Sequence, residues 1–247
     1  MKAFDEYTKQ FDMENDITLL KYNHSYRVSK LSNMLAKGLE LNEENINLAT
    51  LIGLIHDIGR FEQIKKFDTL SDIGTMDHAD FGAYLLFEKG LITKFTNNTH
   101  NYEVIKNSVS SHNKYSIDYD CCERALMHIN IIRDADKIDI MNLVVNLGEI
   151  KLSDDNLGVS KKVDESFRNH LSISHKDKLA RNDSIIMMLA FVFDLNFDYS
   201  YRYYKDNNYI DLFYSKLKNK DIFSEYIEIA NGYIEGKCNN VRTKIYS

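Results

Sequence analysis

The sequence predicts an all-α protein, and three observations carry that expectation. Apolar residues recur along nearly the whole chain at the three-to-four-residue spacing of one helix face. No segment shows a convincing alternation of apolar and polar residues, the mark of a half-buried strand. Proline is absent and only ten glycines occur in 247 residues, so little interrupts a long helix. A chain of this length, 44% hydrophobic, buries a sizeable core without disulfides or a structural metal. The expectation is one all-helical domain over 1–247, with the helices of 160–247 packed on the preceding part.

The elements follow in order. Tyr22 to Lys37 carries Val28, Leu31 and Leu35 on one face. Asn42 is placed to cap a helix running to about Ile58, with Glu43 and Glu44 favourable in its first turn and Gly59 placed to end it. Asp77 is the expected cap of a helix from His78 to about Lys89, stopped by Gly90. Glu103–His112 is amphipathic, and Cys122 to about Leu147 is long and nearly all apolar. Phe61–Asp77 is expected as a loop that lines a pocket together with the C-terminal helices. The polar stretch Lys151–Lys162 is the best boundary candidate. Beyond it come Lys161–Leu171, Asp183–Phe193, Ser200–Asp206, Tyr209–Lys218 and Ile222–Cys238.

Composition narrows the function. The net charge of −6 argues against bulk binding of nucleic acid, which needs a basic footprint. Cys121, Cys122 and Cys238 are odd in number and form no CxxC, which suits a reducing compartment. The amino-terminal stretch is polar and mixed in charge, unlike a signal peptide. The longest apolar run, Leu48 to Ile55, is far short of the ~20 residues of a membrane helix. A soluble, cytoplasmic protein without membrane partners is expected, and a homo-oligomer is compatible with the sequence.

The chemistry is carried by polar residues inside apolar stripes. His24 is followed by Val28, Leu31 and Leu35, and His78 by Phe81, Gly82 and Leu85. His112 is preceded by Ile105 and Val109, and His56 closes an apolar helix with Asp57 beside it. Asp136 shares a face with Ile129, Ile132, Ile140 and Leu143. Asp134 passes the same test, with Met127, Ile131, Ile138 and Met141, so periodicity does not choose between the two. A lone histidine on an apolar face is usually a hydrogen-bonded core residue. Several such residues, one per helix, suggest polar groups converging inside a bundle, as helical metal sites do. His100, His128, His170 and His175 show no partner pattern, and the run Tyr199, Tyr201, Tyr203, Tyr204 suits a helix packed by one face. No P-loop, Rossmann glycines or nucleophile elbow is present.

Read in order, these residues form His24, then His56-Asp57 within Leu54–Arg60, then an aspartate within Arg133–Asp139. This resembles the HD-domain superfamily of metal-dependent phosphohydrolases, whose signature is H…HD…D. Ile55–Arg60 is similar to its "HDIGK/R" variant, and Ala135-Asp136-Lys137 to its "AD(K/R)" ending, which selects Asp136. The resemblance covers about residues 20–147 and implies that this stretch is the metal-binding core. His78 in His78–Gly82 and His112 in Ser110–Lys114 resemble further histidines of the two-metal members, among them the HD-GYP phosphodiesterases and diadenosine tetraphosphate hydrolases. The GYP motif is missing and Ser111 stands before His112, so cyclic dinucleotide hydrolysis is not favoured.

The resemblance implies one or two divalent transition ions, from Fe, Mn, Ni, Co or Zn. His24, His56 and Asp136 would bind one, His78 and His112 the other, and Asp57 would bridge them. Two such ions supply a hydroxide and stabilise an in-line displacement at phosphorus. Arg60 and Lys137 each follow a motif element and are candidates to neutralise phosphate charge, as is Lys114, against the competing reading of solvated surface cations. The implied activity is hydrolysis of a small phosphate ester or anhydride, a nucleotide by preference. The alternatives are an HD-fold mixed-valent di-iron oxygenase and a non-catalytic nucleotide-binding module.

Overall fold

The computed structural model describes residues 2–117, 120–148 and 152–245. Its described elements are helical throughout, with no strand among them. They cluster into two compact units, Met1–Asp139 and Ile140–Ser247. The division falls within a helix, upstream of the polar stretch Lys151–Lys162; Lys151 itself lies outside the described residues.

The first unit contains α1 (Lys2–Thr8), α2 (Asp16–Gly38), α3 (Glu43–Ile55), α4 (Ile58–Phe67), α5 (His78–Phe87), α6 (Tyr102–Ser111) and most of α7 (Glu123–Asn142). Local chemistry sets the helix starts. Asn15 accepts from the amides of Ile17 and Thr18, Asn42 from Asn45, and Asp77 from Ala79 and Asp80. α2 packs along α3, and α5 packs against both α4 and α6. Val28, Leu35, Ile52, Ile55, Ile58, Ile105, Val109 and Ile132 are buried between them. Each fully buried side chain of this size contributes about 1.5–3 kcal/mol.

Several expectations are corrected here. α3 ends at Ile55 rather than Ile58, and α4 begins at once, so His56 and Asp57 form the corner between two helices. Gly59 does not stop a helix; it lies in the first turn of α4. A Cβ there would stand 2.2 Å from the His78 carbonyl oxygen, so glycine is required by the close approach of α5. The segment expected as a loop over Phe61–Asp77 is helical as far as Phe67, which leaves 68–77 as the connection. α7 ends at Asn142 and its continuation, Leu143–Leu147, winds as a wider π turn closed by Gly148.

The second unit is organised on α12 (Lys220–Ile245), against which α8 (Lys161–Arg168), α9 (Asp183–Leu189), α10 (Asp198–Asp206) and α11 (Tyr209–Ser215) pack. α9 continues as a tighter 3-10 turn, Ala190–Asp194. Buried Asp183 accepts from Ser160 N, Ser160 Oγ, Leu179 N and Ala180 N, which ties the preceding loops to α9. Tyr201 and Tyr204 of the tyrosine run are buried, as expected for a helix packed by one face. No helix among the described residues is long and apolar enough to cross a membrane.

Candidate metal centre

Six side chains predicted from the sequence meet inside the first unit. α2 carries His24, the α3–α4 corner His56 and Asp57, the first turn of α5 His78, the end of α6 His112, and α7 Asp136. His24 and His56 are fully buried, and Asp57, His78 and His112 nearly so.

Asp57 stands at the middle. Its Oδ2 lies 3.6 Å from His24 Nε2 and 3.5 Å from His56 Nε2. Its Oδ1 lies 3.3 Å from His78 Nε2 and 3.6 Å from His112 Nε2. Asp136 closes the first half, with Oδ1 3.1 Å from His24 Nε2 and 3.8 Å from His56 Nε2. Asp134 is also buried, but these site contacts belong to Asp136.

The other ring nitrogens fix the tautomers. His56 Nδ1 lies 2.8 Å from Gly53 O and His112 Nδ1 2.7 Å from Val109 O. A carbonyl only accepts, so both Nδ1 atoms carry the proton and donate. His24 Nδ1 is 2.7 Å from Asp139 Oδ2, and His78 Nδ1 is 2.8 Å from Asp72 Oδ2. With each ring neutral, Nε2 turns a lone pair inward, where a proton and a cation compete for it. The buried Nε2 atoms of His24 and His56 have no hydrogen-bond partner, and those of His78 and His112 face each other at 3.1 Å. Lone pairs and carboxylate oxygens aimed at common points repel unless a cation lies among them. The donor set therefore fits divalent metal: His24, His56 and Asp57 form one group of metal-ligand spacing, and Asp57, His78 and His112 another.

Electrostatics agree with ionised carboxylates. Burial raises the Asp57 pKa, but Lys21 and the neighbouring histidines outweigh it and hold the group well below the usual range. Asp136 is likewise lowered: burial opposes ionisation and His24 overcomes it. Burial and Lys21 push His24 down, yet Asp136 and Asp139 leave it raised. Burial pushes His78 down to about 4, against the pull of Asp72 and Asp57, so it is neutral at pH 7.

The predicted cations occupy different settings. Arg60 Nη1 donates to Gln63 Oε1 at 2.6 Å, Leu70 O at 2.6 Å and Asp72 Oδ1 at 2.7 Å, with Nε 3.8 Å from Asp57 Oδ1. Lys137 is buried with Nζ 3.4 Å from Arg133 O. Lys114 is paired with Asp77 at 2.7 Å and Asp80 at 2.8 Å.

Sequence reasoning missed Lys21, Asp72, Asp139, Arg27 and Arg133. Lys21 Nζ is 2.6 Å from Asp57 Oδ2. Arg27 Nε donates to Asp139 Oδ1 at 2.8 Å. Arg133 Nη1 donates to the carbonyls of Ser111, His112 and Lys114, which holds the turn after His112. The signal for Lys21 was its place one turn before His24; Asp72, in an aperiodic connection, gave none.

Residues 22–141 match the HD domain family. No curated protein and no solved structure matches the chain.

Proposed function

With residues 22–141 belonging to the HD-domain superfamily, we propose that this chain is a metal-dependent phosphohydrolase with a dinuclear centre, acting on a small phosphate ester or anhydride, a nucleotide in the first instance. The observation that carries the reading is the division of Asp57. One oxygen faces His24 and His56, the other faces His78 and His112. In this reading His24, His56, Asp57 and Asp136 hold one ion, and Asp57, His78 and His112 hold the second.

Bound divalent ions would supply Lewis-acid charge and a water acidic enough to act as nucleophile near neutral pH. The chain's own residues do the rest. Asp57 and Asp136 stay ionised, and the Nδ1 contacts keep each Nε2 lone pair directed inward. Lys21, beside Asp57, places a fixed positive charge where an anionic substrate meets the donor set. Arg60, with Nη1 committed to the 68–77 connection, is less suited to the phosphate contact expected from its place after the motif.

The test is a nucleotide panel assayed for phosphate release by anaerobically purified protein reconstituted with Mn2+ under nitrogen. Release is expected. Oxygen uptake with iron, and no phosphate release with any metal, would transfer the chain to the di-iron oxygenases.

A further inference from the structure

Both halves of the donor set repeat one arrangement. In the first, Arg27 Nε donates to Asp139 Oδ1 at 2.8 Å and His24 Nδ1 to Asp139 Oδ2 at 2.7 Å. In the second, Arg60 Nη1 donates to Asp72 Oδ1 at 2.7 Å and His78 Nδ1 to Asp72 Oδ2 at 2.8 Å. Each is an imidazole–carboxylate–guanidinium chain, but they rest on different supports. Arg27, His24 and Asp139 all belong to α2 and α7. Likewise His56 and His112 are oriented by carbonyls of their own helices, α3 and α6. Asp72 is the exception, because it lies in the 68–77 connection between α4 and α5.

That connection is tied down from α4. Arg60 Nη1 also donates to Leu70 O at 2.6 Å. Gln63, with no exposed surface, donates through Nε2 to Ser71 O, Asp72 Oδ1, Thr75 Oγ1 and Met76 O at 3.0–3.1 Å. These contacts hold a short, aperiodic segment whose neighbouring residue, Ile73, is 75% exposed. Their common end point is the Asp72 carboxylate on His78.

We propose that Asp72 is the positioning residue of the second metal half, that Arg60 and Gln63 clasp it there, and that an ion binds tightly at His78 and His112 only when this clasp is closed. The inference rests on the dinuclear reading. The first half, built on helices, loads independently of the connection. Arg60 then acts through Asp72 and His78 rather than on a phosphate. Contacts that orient a metal-bound histidine are worth roughly 10–100-fold in metal affinity.

The experiment uses the full chain equilibrated with excess Mn2+, freed of unbound ion, and read by elemental analysis and EPR, where a spin-coupled pair differs from an isolated ion. Wild type should hold two ions with a coupled signal. Asp72→Asn keeps the shape but not the charge. It should weaken the second ion by roughly 10–100-fold and leave an isolated-ion signal; Asp72→Glu should restore part of the coupling. Arg60→Met leaves every proposed ligand in place and should give the same change in smaller degree. His112→Ala, which removes a proposed ligand directly, is the reference for a lost second ion. Two ions and an unchanged coupled signal in both Asp72→Asn and Arg60→Met overturn the inference. So does loss of both ions, or collapse of the fold by circular dichroism in both variants, since either makes the pair a general structural support. A single ion in wild type and His112→Ala alike overturns the dinuclear reading itself, and the role of Asp72 with it.

Discussion

Alanine at Gly59 tests how tightly the corner that carries His56 and Asp57 is built. Its Cβ would lie 2.2 Å from His78 O, 2.8 Å from Gly82 N and 3.1 Å from Gly82 Cα. All three are backbone atoms, so no rotamer change relieves the clash. α4 and α5 must part by roughly 1 Å to restore ordinary contact, in an interior too densely packed to absorb it. Overpacking of this kind costs about 1–3 kcal/mol, set against up to about 1 kcal/mol gained by alanine over glycine in a helix. A 2.2 Å approach to backbone puts the cost at the upper end, so the expected net loss is about 2 kcal/mol. Gly82→Ala is the control, because its nearest neighbours stand at 3.3–3.5 Å; it should fall within about 1 kcal/mol of wild type. Urea unfolding followed by circular dichroism measures both. The same displacement moves the backbone of His78, so in the dinuclear reading Gly59→Ala should also weaken Mn2+ binding at the proposed second position. Stability equal to wild type, or equal to Gly82→Ala, would refute the close-approach argument.

Asp57→Ala should abolish phosphate release while circular dichroism stays unchanged, because both proposed ion positions lose a shared carboxylate; full activity would place catalysis elsewhere. Lys21→Met should retain bound metal and lose kcat/KM by roughly ten- to a hundredfold, since a charge-assisted contact is worth about 1.5–3 kcal/mol. A variant as active as wild type removes Lys21 from the substrate. His128 lies buried in α7, where burial and then Arg124 push its pKa from 6.5 down to about 4. The unfolded chain takes this proton first, so the contribution is full above pH 6.5 and is lost as pH falls toward 4, about 2 kcal/mol by pH 5. His128→Gln should flatten the acid side of the stability curve in urea titrations, and an unchanged slope refutes the assignment.

The residues legible in the sequence share a physical mark. His24, His78, His112 and Asp136 interrupt apolar helical stripes, and a polar group withdrawn wholly or partly from water in such a stripe requires a partner. The His56–Asp57 pair was legible through its motif, but its setting was not. Gly59 was read as a helix stop because glycine after an apolar run has that meaning locally; the approach of α5, nineteen residues on, gives it another. The same misreading hid α4. α1 was missed because seven residues carry too little periodicity to register, although Phe4 and Tyr7 are buried. The orienting residues were hidden for a different reason. Asp139 follows Asp136 in a stretch crowded with charges, and Asp72 sits in a connection without a period. Only the fold decides which of them meets an imidazole.

The pairing of these orienting carboxylates also bears on what the centre attracts. Asp139 is matched by Arg27 and Asp72 by Arg60, so each polarises a histidine with its own charge already balanced. The negative charge that remains facing the donor nitrogens belongs to Asp57 and Asp136, both held ionised. In the proposed dinuclear centre, two divalent ions set against two carboxylates would leave a surplus of positive charge, and Lys21 would add to it. A neutral substrate does nothing to relieve that surplus in a buried site, where charge is poorly screened. The proposed substrate, a phosphate ester or anhydride, would bring the compensating charge. The charge balance around the histidines is the electrostatic counterpart of the phosphohydrolase proposal and rests, as that proposal does, on the two ions being bound.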